Sequence, residues 1–298
     1  MKSVQSDQSE NNYLDQSFNL LQESKEKLQH IVNEKYDLAF KKNDIPELER
    51  FFKIFPLVGL ANDGLEKFST YLCIQIKQAA DRNYSELLSM SNSDKRWNIM
   101  FADALILLFE KVARVIEAYQ PLIESYYGHG HMFLFIKNIQ KECDLQSVKI
   151  LKKFKEVRNL DFILRSIKQS QYMVNSSLGG KPEDKIDPRD LDELLTEMTL
   201  ISARCELYKN FLQRSITNDV INLSTEQQKA KMNETNAFIN STNLECSIQE
   251  LIGQYSSLEN YFMTENILKA IQMDTFLKDS LTSSVVDDVF FIIKKCIK

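Results

Sequence analysis

Only seven glycines and five prolines punctuate 298 residues, roughly a third of their usual combined share. Reversing a chain needs residues that accept positive φ or preset a turn, so this one can turn only a few times. Sheets need a turn every dozen residues or so, which disfavours the all-β and α/β classes. An all-α fold of long helices joined at few corners remains, and the apolar spacing agrees with it. From Leu14, positions step by four and three through Phe18, Leu21, Lys25, Leu28, Val32, Lys35 and Ala39, a heptad seam interrupted by two lysines. Phe101, Leu105, Leu108, Val112, Val115, Tyr119, Leu122 and Tyr126 repeat the alternation, and Phe109, Ile116 and Ile123 widen it to the face of a bundle helix. Asp94 is expected to cap that helix and Pro121 to bend it.

The patterns divide the chain into a disordered polar tail (1–10), a coiled-coil-like helix (11–44), a first helical bundle (45–174), a linker (175–188, NSSLGGKPEDKIDP) and a second bundle (189–298). Asp187-Pro188 restarts the helical pattern, with Pro188 in a first turn. The polar segment from Thr217 to Asn233 reads as a second loop. Helices are then predicted over 234–274 and 283–298, the last capped by Ser283 or Ser284. No fixed 30- to 45-residue repeat occurs, so an elongated rod of unequal bundles in series fits better than a regular solenoid.

Chemistry is hard to find. Gly179-Gly180 precedes Lys181-Pro182 without the strand or the Ser/Thr of a phosphate loop. The chain has three histidines, and His129 and His131 lack neighbouring ligands at metal spacing. Asp287-Asp288 lacks the third carboxylate of a magnesium-binding DDxxD motif and suits the positive end of a helix. Cys73, Cys143, Cys205, Cys246 and Cys296 are widely spaced beside apolar residues, the pattern of reduced, buried thiols. The basic stretch Lys149 to Arg158 reads as a solvated helix face, or alternatively as a dock for an anionic membrane or an acidic helix. A net charge of −5 argues against nucleic acid as a partner. No apolar run reaches bilayer length and the N-terminus lacks a signal peptide's apolar core, so a cytosolic or peripheral protein is expected. No catalytic, cofactor or metal residue is singled out. Leu14, Phe18, Leu21 and Leu28 are the candidate partner-binding residues, because they form the apolar part of the first seam.

One segment is more specific than a generic rod. In RFFKIFPLVGLANDGLEKFSTYLC (Arg50 to Cys73) a short aromatic helix stops at Pro56 and Gly59, and a new one starts after Asn62-Asp63. Phe51, Phe52 and Phe55 are expected as packing residues. This segment resembles the conserved oligomeric Golgi complex subunit 4 family of vesicle-tethering proteins. FADALILLFEKVARVIEAYQPLIESYYG (Phe101 to Gly128), DPRDLDELLTEMTLISARCELYKNFLQRSI (Asp187 to Ile216), SIQELIGQYSSLENYFM (Ser247 to Met263) and LTSSVVDDVFFIIKKCIK (Leu281 to Lys298) resemble it in the same order. Family members are longer, so the chain reads as a fragment lacking the C-terminal region and part of the N-terminal region. The resemblance implies a non-enzymatic tethering subunit on the cytosolic face of the Golgi that supports retrograde vesicle transport and SNARE-dependent fusion, without a cofactor. Implied partners are the other subunits of the complex, especially the lobe with subunits 1 to 3, and a Golgi syntaxin with its Sec1/Munc18-type regulator. Membrane contact is implied to be peripheral. The competing readings are a generic coiled-coil adaptor and an all-α enzyme with inward-facing carboxylates near Asp287-Asp288.

Overall fold

The computed structural model describes residues 3–91, 93–175, 186–221, 224–273 and 285–296. Every regular element among the described residues is helical, as the scarcity of turn residues predicts. Helix α1 (Ser3–Lys42) already includes residues 3–10, which the sequence suggested as a disordered tail. Extending an existing helix avoids a second nucleation, so polar residues can join its end. Asn43 then enters the left-handed region at φ 54. Asp44 caps α2 (Ile45–Ile54), accepting from the Glu47 N–H at 3.3 Å with Pro46 in the first turn.

The aromatic corner follows. A 3₁₀ turn (Phe55–Val58) ends at Gly59, whose φ of 80 is open to glycine without steric cost. Helix α3 (Ala61–Ser89) begins slightly earlier than Asn62-Asp63 suggested. Phe52 and Phe55 are fully buried. The Phe52 ring stacks on Phe68 at 4.3 Å and on Tyr127 at 4.7 Å, and Phe55 meets Tyr36 of α1 edge-on at 5.4 Å. Burying each such ring contributes about 1.5–3 kcal/mol. Gly64 makes the close approach possible. A Cβ there would lie 2.5 Å from Phe55 Cβ and 2.6 Å from the Tyr127 hydroxyl, which donates to the Phe52 carbonyl at 2.7 Å.

Helix α4 (Met100–Tyr126) runs through Pro121 and follows a 3₁₀ turn at Trp97–Ile99. Asp94 does not cap it. Its carboxylate accepts from the Arg96 N–H at 2.9 Å and closes the turn before the helix. Helices α5 (Met132–Val157) and α6 (Leu160–Asn175) are separated at Asn159, φ 51. Helix α7 (Pro188–Val220) is capped by Asp187, which accepts from the Arg189 N–H at 3.1 Å. The last helices are α8 (Thr225–Asn240), α9 (Asn243–Met273) and α10 (Val285–Cys296).

Two boundaries differ from the sequence reading. Most of the span expected as a loop, Thr217–Asn233, is helical: α7 continues to Val220 and α8 begins at Thr225. Asp219 and Val220 are buried, which holds the end of α7, and a Ser224–Gln227 capping box starts α8. The single helix expected over 234–274 is split at Ser241 and Thr242, whose hydroxyls bond back to the Phe238 and Ile239 carbonyls. The interior of the 175–188 linker and the caps at Ser283 or Ser284 lie outside the described residues.

Helix α3 packs on α4 and α5, while α7 packs on α4 and α9, and α9 also meets α5. The segments on either side of the 175–188 linker therefore share one hydrophobic cluster, which extends from Val32 to Phe262. The chain exposes 19128 Å², against about 13,000 Å² for a compact monomer of its mass. That excess fits an elongated molecule.

Candidate functional site

Helix α1 changes character along its length. Near its C-terminal end Val32, Tyr36 and Ala39 are buried. Phe40 meets Tyr71 edge-on, Lys67 pairs with Asp37 at 2.8 Å, and the Gln29 amide donates to the Val58 carbonyl at 2.8 Å. Lys25, one of the two seam lysines, lies beside Gly59 at the aromatic corner. Toward the N-terminus from that point the helix leaves the bundle, with Phe18 67% and Leu21 69% exposed, and Leu28, on the docked part between Lys25 and Gln29, is 53% exposed. Three of the four candidate partner-binding residues are thus exposed side by side on a docked helix. The Leu14 side chain lies outside the described side chains. A neighbouring row was missed by the sequence reading: Leu20, Ile31 and Leu38 are also exposed. Its signal is a second series of four- and three-residue steps.

The inward-facing carboxylates lie elsewhere. Glu197 of α7 accepts from the Phe101 N–H at the start of α4 at 3.1 Å and from Arg158 Nε at 2.8 Å. Arg158 also donates to the Trp97 carbonyl and lies over the Trp97 and Phe101 rings. Asp219, near the end of α7, accepts from the N–H groups of Gly130 and Met132 at 2.9 and 3.0 Å, where α5 begins. Asp144 of α5 accepts from Asn243 and Leu244, the first N–H groups of α9, at 3.1 and 3.3 Å. Its companion Gln140 donates to it at 2.7 Å and accepts from the Tyr208 hydroxyl at 2.7 Å. Each carboxylate therefore satisfies orphan N–H groups of another helix and opposes that helix's positive end. Burial pushes the Glu197 and Asp219 carboxyls above their ordinary values. Arg158 and the Phe101 N–H oppose the shift at Glu197, while the Met132 and Gly130 N–H groups and His129 oppose it at Asp219.

The other candidates resolve into packing or surface. Asp287 and Asp288 are exposed in the first turn of α10, which removes the enzyme reading built on their facing inward. The basic stretch on α5 is largely tied to the chain itself. Lys149 pairs with Asp81 and Lys155 with Glu250, at 2.8 and 2.7 Å, besides the Arg158–Glu197 pair. Cys143 and Cys205 are buried, but Cys73 is half-buried and Cys246 exposed, so the expectation of burial does not hold for every thiol. Burial pushes the Cys73 thiol up to about 11 and the Cys143 thiol up to about 12, which keeps both protonated and poorly nucleophilic. His129 lies 3.8 Å from Asp219, and His131 Nδ1 is 3.2 Å from the Gly128 carbonyl. Among the described residues no His, Cys, Asp and Glu side chains cluster as a metal site. No described helix is long and apolar enough to cross a membrane.

Comparison with known proteins agrees with this helical architecture. Residues 50–298 match the family described as COG4 transport protein, middle alpha-helical bundle. The chain is 46% identical over 292 residues to conserved oligomeric Golgi complex subunit 4 of Mus musculus, covering 97% of this chain and 36% of the relative. The Homo sapiens protein of that name is 44% identical with the same coverage, and the Drosophila melanogaster protein is 33% identical over 93% of this chain and 38% of its own length. The chain thus spans little more than a third of these curated relatives. No solved structure matches. A match over most of the chain, carried by the same helices that build the shared core, places this protein in the conserved oligomeric Golgi complex subunit 4 family.

Proposed function

We propose that the protein is a non-enzymatic subunit of a multisubunit vesicle-tethering complex at the Golgi, acting through helix-to-helix contacts. The observation that carries this reading is α1. Its C-terminal end is fixed to the aromatic corner, while Phe18 and Leu21 stay exposed on the part that leaves the bundle and Leu28 stays exposed beside the corner. A helix held in this way presents a seam without having to order it on binding, which lowers the entropic cost of association. The commitment of Glu197, Asp219 and Asp144 to helix N-termini supports a scaffold role, since each carboxylate is used to hold one helix against another.

In this reading the partners are the other subunits of the complex, foremost the lobe with subunits 1 to 3. A Golgi syntaxin and its Sec1/Munc18-type regulator engage the assembled complex. The protein sits peripherally on the cytosolic face of the Golgi and supports retrograde vesicle transport, Golgi organisation and SNARE-dependent fusion. Purification of native assemblies from the source organism tests the core of the proposal. Recovery with other subunits of the Golgi complex is expected, and recovery without any of them contradicts it.

A further inference from the structure

We infer that the aromatic corner is a releasable internal occupant of the α1 seam, in competition with a partner helix for the same face. The inference rests on the proposed role as a complex subunit and adds how access to the seam is controlled. Phe18, Leu21, Leu28, Val32, Tyr36 and Ala39 follow one another in steps of three, four and seven, so they share one face of α1. That face has two fates. Phe18, Leu21 and Leu28 are exposed, while Val32, Tyr36 and Ala39 are buried, with Tyr36 edge-on to Phe55 of the corner. The corner therefore occupies the stretch of seam that a helix laid along Phe18 and Leu21 would reach next.

The docked contact carries a built-in cost. The Tyr36 and Tyr71 hydroxyls are buried there and have no hydrogen-bond partner among the described residues. Their surroundings are aromatic: Phe55 lies beside Tyr36, and Phe40 and Phe68 lie beside Tyr71. The Tyr127 hydroxyl is already committed to the Phe52 carbonyl. A buried hydroxyl without a partner has lost its hydration with nothing in return, and opening the contact gives it back to water. No backbone bond of the helix end is at stake. The end of α1 is closed within its own chain, the Asn43 N–H donating to the Phe40 carbonyl at 3.1 Å and the Asp44 N–H to the Ala39 carbonyl at 3.0 Å. Only Asn43 and Asp44 then connect α1 to α2. Of the polar ties across the contact, Gln29 to Val58 and Lys67 to Asp37, the second is partly in solvent, where water replaces it at little cost. Release exposes Val32, Tyr36 and Ala39 but rehydrates both hydroxyls, and the seam then runs open from Phe18 to Ala39. A partner helix on the full seam recovers the apolar burial that release gives up, so its binding shifts α1 toward the open form.

The test treats the complete protein carrying Ala39→Cys with iodoacetamide and reads each thiol by peptide mass. The introduced thiol sits on the docked face, and Cys143, fully buried in the core, reports global unfolding. Release predicts that the introduced thiol is labelled ahead of Cys143 and with a shallower urea dependence. Tyr36→Phe/Tyr71→Phe removes both unsatisfied hydroxyls and should slow that labelling roughly tenfold. The same double variant, co-expressed with the other subunits of the oligomeric Golgi complex, should be incorporated less than wild type. Helicity and Cys143 protection check folding, and Val32→Cys repeats the reading from a second position. Equal urea dependence of the two thiols overturns the inference. Faster labelling in the double variant also overturns it, because the hydroxyls would then be holding the contact closed. Slowed labelling with incorporation unchanged overturns it as well, since the partner would then bind without displacing the corner. Each of these results leaves the complex-subunit reading standing. Failure of the wild type to join any other subunit overturns that reading, and the competition with it, whatever the labelling rates are.

Discussion

Arg158 Nε lies 2.8 Å from the Glu197 carboxylate, and the two side chains are 13% and 0% exposed. One residue closes α5 and the other belongs to α7, so the pair joins helices on either side of the 175–188 linker. Glu197 also caps α4 through the Phe101 N–H. Removing one member of a buried pair strands the other charge. Arg158→Met should therefore cost about 3–5 kcal/mol of unfolding free energy. The double variant Arg158→Met/Glu197→Leu should cost clearly less than the two single changes added together, since no charge is left stranded. Urea unfolding of the four proteins measures the coupling, and strict additivity would contradict the buried pair.

The close approach at the corner has its own signature. Gly64→Ala places a methyl group 2.5 Å from Phe55 Cβ, a backbone-proximal atom that cannot swing aside. A loss of about 1–3 kcal/mol is expected despite alanine's better helix propensity. Thermal unfolding decides the sign, because a helix limited only by propensity would gain stability.

Asp219 gives the chain a pH dependence. Burial raises its carboxyl above the ordinary aspartate value, more than the Met132 and Gly130 N–H groups and His129 lower it. A raised folded value means that the contribution is fully present below the unfolded value and is lost as pH rises through the folded one. Asp219→Asn keeps an oxygen for those N–H groups and does not titrate. The stability of wild type relative to Asp219→Asn should therefore fall as pH rises across that window. A difference that is flat or grows with pH in urea titrations refutes the assignment.

The two ends of α1 should respond oppositely to substitution. Tyr36 is 2% exposed and packs on Phe55, so Tyr36→Ala should cost about 3–5 kcal/mol. Leu21 is 69% exposed, and Leu21→Asp in the isolated chain should change stability by about 0.5 kcal/mol or less. Equal losses in a denaturant series would show that the outer part of α1 is packed after all.

The all-α class and the aromatic corner were legible because they rest on local rules: few turn residues, Pro188 in a first turn, and Pro56 and Gly59 stopping the aromatic helix. The caps that tie helices together were not. Glu197, Asp219 and Asp144 look like ordinary polar interruptions in heptad rows, and no local spacing says which distant helix start a carboxylate will reach. Asp94 misled for the converse reason, since a good capping residue was placed next to a turn that used it first. The Ser224–Gln227 capping box was a readable signal for α8, hidden by the polar composition around it. On α1 the row containing Leu14 drew attention away from the Leu20–Ile31–Leu38 row, although both follow the same periodicity. Only the docking of Val32, Tyr36 and Ala39 separates the covered face from the open ones.

The most direct measurement of the central claim is cross-linking of the purified native complex with a lysine-reactive reagent, followed by mass spectrometry of the linked peptides. Assembly through α1 predicts links from Lys27 and Lys35 to a helix of another Golgi-complex subunit, lost when Leu21→Asp/Leu28→Asp is introduced. Links from those lysines confined to this chain, in a complex that keeps its full complement of subunits in the variant, would contradict it.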